Sequence, residues 1–151
     1  LPMGYYGDPE KTARTFITTD ERRWCIPGDY AIQRSDGLIE LLGRGAVCIN
    51  TGGEKVYPEE VEEALKDDDG VIDALVVGLP DEVWGQRVAA VVQLREGEHR
   101  TTDELIATCR ARVAGYKVPR VVFVVPEVMR QPSGKPDYKW ARETAERLTG
   151  A

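Results

Sequence analysis

Val71-Ile72-Asp73-Ala74-Leu75-Val76-Val77-Gly78 and Arg87-Val88-Ala89-Ala90-Val91-Val92-Gln93-Leu94 are two valine-rich runs separated by Leu79-Pro80-Asp81-Glu82-Val83-Trp84-Gly85-Gln86. Short runs of β-branched residues bounded by turn formers predict two strands. Upstream of them, Tyr57-Pro58-Glu59-Glu60 reads as a helix start. Pro58 takes the first helical position, and both carboxylates lie near the positive end of the dipole. Val61, Ala64 and Leu65 supply the buried stripe of this helix, and Asp67-Asp68-Asp69-Gly70 ends it as a solvated turn rather than a metal site. Downstream, Thr101-Thr102-Asp103-Glu104 has the form of a capping box. Leu105, Ile106, Cys109 and Val113 then form the inward face of a second helix, which Gly115 ends. Val121 to Val125 is a third strand, apolar enough to predict burial on both faces. Trp140, Ala141, Thr144, Ala145 and Leu148 mark one side of a last helix. Strand and helix alternate, so the fold class is α+β: a small α/β domain with a roughly three-stranded sheet flanked by helices.

Residues 1–43 read differently. They lack a long amphipathic helix and repeat turn signals at Gly7-Asp8-Pro9, Pro27-Gly28-Asp29 and Ser35-Asp36-Gly37. The last of these joins Tyr30-Ala31-Ile32-Gln33 to Leu38-Ile39-Glu40-Leu41-Leu42, which predicts a β-hairpin. An isolated hairpin is marginal in water, so this segment is expected to pack on something else. The pattern changes at Gly43-Arg44-Gly45, and the boundary falls there: 1–43 as the tail of one domain, 44–151 as another.

The composition narrows the function classes. With 151 residues and 42% hydrophobic content, the chain is ordinary for globular proteins. A net charge of -6 without a cluster of Lys and Arg argues against nucleic-acid binding. No apolar run approaches the roughly 20 residues of a membrane span, and Leu1-Pro2-Met3-Gly4-Tyr5-Tyr6 does not resemble a signal peptide. Cys25, Cys48 and Cys109 share no metal-ligand spacing, and a reducing cytoplasm is the natural setting for them. Cys109 reads as core packing. His99, the one histidine, lies between Glu98 and Arg100 in a polar stretch and reads as an exposed loop residue, which leaves histidine-based nucleophilic catalysis without its base.

Short polar motifs occur in a fixed order along the chain: Gly28-Asp29-Tyr30, Gly43-Arg44, Gly52-Gly53-Glu54-Lys55-Val56-Tyr57-Pro58-Glu59-Glu60, Gly78-Leu79-Pro80-Asp81, Tyr116-Lys117-Val118-Pro119-Arg120 and Ser133-Gly134-Lys135. Each is weak alone, but together they are specific. In this order they resemble the adenylate-forming enzymes: acyl-CoA synthetases, carrier-loading adenylation domains and luciferases. The resemblance implies that residues 1–43 finish a large AMP-binding domain whose remainder lies upstream, and that 44–151 is its small mobile partner domain. It implies ATP, AMP and CoA as ligands, with Mg²⁺ held mainly by the absent domain. No metal ligand is expected here, and a fragment of this kind is expected to be inactive alone.

The resemblance also assigns residues. Lys135 becomes the adenylation lysine, its ammonium meeting the substrate carboxylate and the α-phosphate as pyrophosphate leaves. Asp29 accepts hydrogen bonds from both ribose hydroxyls of AMP, and Arg44 meets the ribose or phosphate with its planar donors. Gly52 and Gly53 border the pantetheine tunnel, although a tight bend explains a glycine pair equally well. Lys117, with Arg120, has the charge for CoA phosphates, or belongs to a structural turn. Trp84 reads as packing. Gly45 and Ala46 occupy the hinge, where many relatives carry Asp or Lys in place of Ala46, and Pro27 replaces a common Thr. The expected activity is that of an acyl-CoA synthetase acting on a fatty-acid or sterol side-chain carboxylate. An adenylation domain that loads a carrier protein, or a non-catalytic module of the same fold, are the alternatives.

Overall fold

The computed structural model describes residues 1–44 and 47–150. The chain divides into two compact units, Leu1–Ala46 and Val47–Ala151. The expected hinge residues Gly45 and Ala46 lie outside the described residues.

The first unit opens with a short helix, α1 (Pro9–Thr15), whose N-cap Asp8 accepts a hydrogen bond from the Lys11 amide. A hairpin of β1 (Phe16–Thr19) and β2 (Arg22–Cys25) follows, turning through Asp20 and Glu21 at φ 48° and 62°. Positive φ at both central residues is the geometry that matches strand twist in a two-residue hairpin. The sequence hides this hairpin because neither turn residue is glycine. The hairpin expected around Ser35-Asp36-Gly37 is present as β3 (Asp29–Gln33) paired antiparallel with β4 (Ile39–Arg44). Little of this unit is buried. Among its described residues only Thr15 is, while Trp24, Tyr30, Ile32, Leu38 and Ile39 are exposed.

The second unit is built on a five-stranded sheet with an α+β organisation. The three long strands expected from the sequence are β7 (Val71–Asp81), β8 (Gly85–Leu94) and β9 (Val121–Val125). Two strands of three residues each, β5 (Ile49–Thr51) and β6 (Glu54–Val56), raise the count above the expected three. They are too short and too polar to give a periodic signal. β8 lies at the centre. It pairs antiparallel with β7 along one side, and on the other with β9 in parallel and with β5 at Thr51↔Gly85. The outer position of β7 explains how it tolerates Pro80, since an edge strand need not donate from every residue.

Helices cover both faces of the sheet. Leu75, Val77, Leu79, Ala89 and Val91 pack with Ala141 and Ala145 of α4 (Tyr138–Thr149). Ala74, Val76, Val88, Ala90 and Val92 pack on the other face with Val61 and Leu65 of α2 (Pro58–Lys66) and Leu105 and Cys109 of α3 (Thr102–Arg110). Alternate residues thus enter opposite cores, which is why β7 and β8 read as continuous apolar runs and not as alternating ones. The capping box of α3 is present as expected, with Thr101 and Glu104 satisfying each other's backbone amides.

Three local expectations are corrected. β9 packs on both cores, through Val122 on one face and Val121, Phe123 and Val125 on the other, but its burial is incomplete, with Val124 46% exposed. Helix α3 ends at Arg110, well before Gly115, which opens a 3-10 turn over Gly115–Lys117. The acidic turn after α2 is not simply solvated, because Asp68 accepts from the Arg100 Nε at 3.0 Å and from the Gly70 amide at 2.8 Å.

Candidate functional site

Lys135 lies on a closed loop between β9 and α4. The Gly134 amide donates to the Gln131 carbonyl at 2.8 Å, and the Gln131 amide donates to the Lys135 carbonyl at 2.9 Å. Gly134 sits at φ 78°, a conformation that glycine adopts without the Cβ clash other residues suffer. Beyond the loop, the Asp137 carboxylate accepts from the Trp140 amide at 3.0 Å and caps α4. The backbone around Lys135 is therefore fixed on both sides. Its side chain is exposed, and among the described residues its ammonium has neither hydrogen-bond nor ion-pair partner. A cation held on an ordered loop and left unpaired is poised to meet an anion from outside.

The loop is tied to the sheet by a residue that sequence reasoning passed over. Arg130 donates through Nε and Nη2 to the two Asp73 carboxylate oxygens, each at 2.7 Å, and through Nη1 to the Gly134 carbonyl at 3.2 Å. Burial alone would push the Asp73 carboxyl upward, but the Arg130 guanidinium and the Ala74 amide hold it below the usual carboxylate range. The two residues are 57 positions apart, so no local motif could disclose the pair.

A second buried group lies nearby in the fold. Glu62, on α2 and 4% exposed, accepts from the Val76 amide on the open edge of β7 at 2.9 Å. The Tyr138 hydroxyl, at the start of α4, donates to its other oxygen at 3.5 Å. Burial raises the Glu62 carboxyl to about 7, outweighing the Val76 hydrogen bond, with Glu59 adding repulsion. Desolvation likewise lifts the Tyr138 phenol well above its ordinary value. Cys109, fully buried, is pushed up to about 11 by burial, which makes it an inert core thiol.

The remaining expected residues fall into separate places. Asp29 opens β3 and Arg44 closes β4, and the two are register partners across that hairpin. They are 15 positions apart in sequence, and the turn between the strands brings their backbones opposite each other. Gly52 and Gly53 form the two-residue turn between β5 and β6, with φ 59° and 86°. Gly52 also meets the Trp84 ring, where an added Cβ would lie 2.6 Å from a ring carbon, whereas Gly53 faces open space. The Trp84 carbonyl accepts from the Gly52 amide at 3.0 Å, so the β7–β8 and β5–β6 turns brace each other. Asp81 shapes the first of these turns by accepting from the Trp84 and Val83 amides. Lys117 donates to both Glu60 oxygens at 2.7 Å, which ties the 3-10 turn to α2. His99 is exposed. Among the described residues, no three His, Cys, Asp or Glu side chains are grouped as a metal ion requires, and no helix is long and apolar enough to cross a membrane.

Comparison with known proteins gives this geometry a context. The family model for the AMP-binding enzyme C-terminal domain matches residues 60–135, half of the chain. The 3-oxocholest-4-en-26-oate–CoA ligase of Rhodococcus rhodochrous is 59% identical over 143 residues, covering 95% of this chain and 26% of that protein. A medium/long-chain-fatty-acid–CoA/3-oxocholest-4-en-26-oate–CoA ligase of Mycolicibacterium smegmatis is 57% identical over 146 residues, covering 97% and 26%. The chain thus spans about a quarter of the length of the curated relatives it matches. Among solved structures, ATP-bound MatB from Rhodopseudomonas palustris superposes with a TM-score of 0.80 at 30% identity, over 96% of this chain and 28% of that one. The amide bond synthetase McbA from Marinactinospora thermotolerans does so with a TM-score of 0.82 at 32% identity, over 94% and 28%.

Proposed function

The chain belongs to the AMP-binding enzyme C-terminal domain family, and from that premise we propose that it is the carboxy-terminal part of an ATP-dependent acyl-CoA ligase for fatty-acid or steroid side-chain carboxylates. The observation that carries this reading is Lys135, an exposed ammonium without a partner among the described residues, on a loop closed by its own backbone hydrogen bonds. The substrate class rests on the relatives, whose names specify medium- and long-chain fatty acids and 3-oxocholest-4-en-26-oate.

The reaction has two steps. A carboxylate oxygen attacks the α-phosphorus of ATP, the α–β phosphoanhydride bond breaks, and pyrophosphate leaves. The CoA thiolate then attacks the acyl carbon, and AMP departs with the electrons of the mixed anhydride bond. In the first step Lys135 neutralises negative charge shared between the carboxylate and the α-phosphate. Removing one such preorganised partner typically costs about 100- to 1,000-fold in rate. Asp29 accepts from the ribose hydroxyls, and Arg44, its register partner on the neighbouring strand, binds the same nucleotide. Gly53, with open space about it, leaves room for the pantetheine arm, and Gly52 carries the turn against Trp84. Lys117 reaches a CoA phosphate by exchanging its Glu60 partner. Gly45 and Ala46 act as the hinge.

On the same reading residues 1–43 complete the large AMP-binding domain, and 44–151 form the lid that rotates on it. The exposed Trp24, Ile32, Leu38 and Ile39 are the apolar surface that the missing part of that domain covers. Mg²⁺ enters with ATP, and its ligands come from the phosphates and from that missing part. The free cysteines suit a reducing cytoplasm. The neighbouring amide bond synthetase makes an amine a second candidate acceptor. Incubating the full-length protein with ATP and a panel of carboxylates tests the reading. AMP release that requires both a long-chain or steroid acid and CoA supports it; release of ADP, or AMP release with an amine but not with CoA, overturns it.

A further inference from the structure

We propose that Arg130 is the positioning residue for Lys135: through its ion pair with Asp73 and its contact with Gly134, it fixes the lysine loop on the edge of the sheet for adenylation. This inference rests on the reading of Lys135 as the adenylation lysine. Residues 131–135 are exposed and contribute no apolar side chain to either core. The segments on either side are anchored differently. Val128 is buried, and its amide donates to the Gln93 side chain at 2.9 Å; α4 begins at the Asp137 cap. Between those anchors, Arg130 supplies the loop's ion pair to the sheet, to an Asp73 side chain that is 15% exposed.

The geometry matches what a guanidinium does and an ammonium cannot. A planar fork satisfies two carboxylate oxygens at 2.7 Å and still has Nη1 for the Gly134 carbonyl, one residue before Lys135. Arg130 thereby joins β7, through Asp73, to the lysine turn, which it meets at the Gly134 carbonyl and through its own backbone bridge to Pro136. A half-buried bidentate pair is also less screened by solvent than a surface one. Catalysis by a fixed charge needs that charge in place before the reaction, because a displacement of about 1 Å can cost on the order of 100-fold. On the reading that Lys135 acts in the adenylation step, the clamp is expected to act in that step alone.

The test is made in the full-length enzyme, with the two half-reactions measured separately. Arg130→Ala is expected to slow carboxylate-dependent pyrophosphate exchange about 10- to 100-fold while KM for ATP stays within about twofold. CoA acylation from preformed acyl-adenylate should be unchanged. Arg130→Lys should recover only part of the exchange rate, and Asp73→Asn, which preserves shape and removes charge, should slow exchange in the same selective way. The Arg130→Ala/Asp73→Asn double variant should be no slower than the worse single variant, as expected for two halves of one interaction. Unchanged exchange in Arg130→Ala and Asp73→Asn overturns the clamp, as does an equal loss in both half-reactions. Lys135→Ala is run in parallel. If it retains exchange, the adenylation reading itself fails; if it loses exchange while Arg130→Ala does not, only the clamp fails.

Discussion

At the scale of single residues, the chemistry depends on which charges are left free and which are neutralised. Among the described residues Lys135 has no partner, while Lys117 is taken up by Glu60 and Arg130 by Asp73. The sequence identifies Lys135 through Ser133-Gly134-Lys135, because the motif is local. It cannot show the neutralising partners, which lie 57 positions away in both pairs. Glu62 is a further case: it reads as one more acid on a helix, yet it is buried against the open edge of β7, with a carboxyl raised to about 7. A group whose folded value exceeds its unfolded value stabilises fully below the unfolded value, near 4.5, and loses that contribution as pH rises towards 7. The loss is about 3 kcal/mol. Glu62→Gln keeps an acceptor for the Val76 amide and does not titrate. Urea denaturation between pH 4.5 and 7 should therefore show the parent losing stability relative to Glu62→Gln as pH rises. Parallel profiles would mean that Glu62 titrates normally.

At the scale of elements, the long strands and helices were legible because their signals are periodic or terminal. Examples are the two-sided apolar runs of β7 and β8, the Pro58 start of α2 and the Thr101–Glu104 box of α3. The short strands β5 and β6 were not, since three residues carry no period. The β1–β2 hairpin was hidden for another reason: its positive-φ turn is built from Asp20 and Glu21. The Gly52-Gly53 turn shows two demands met by adjacent glycines. Both require positive φ, which costs an L-residue about 1–2 kcal/mol. Only Gly52 also abuts the Trp84 ring. Gly52→Ala should therefore destabilise the unit by more than Gly53→Ala in thermal melts, the extra loss coming from displacement of Trp84. Trp84 fluorescence should shift in the first variant and not in the second. Equal destabilisation with unaltered fluorescence would show that the Trp84 contact does not constrain this turn.

At the scale of the whole molecule, the chain's two units differ in what they bury. Residues 47–151 contain both apolar cores, one on each face of the five-stranded sheet. Among residues 1–39 the aromatic and aliphatic side chains are largely exposed and only Thr15 is buried; the proposed reading makes this segment a piece of a larger domain. The order of the motifs carried the family in the sequence. The chain spans about a quarter of the length of its relatives, and on the proposed reading the carboxylate pocket that would fix chain length belongs to the remainder. What this chain contributes to the proposed reaction is a lysine needed for one half-reaction and not the other. The direct measurement is both half-reactions in the full-length Lys135→Ala enzyme. Pyrophosphate exchange should fall about 100- to 1,000-fold, with acyl transfer from preformed acyl-adenylate to CoA retained. Exchange at the parent rate would contradict the account.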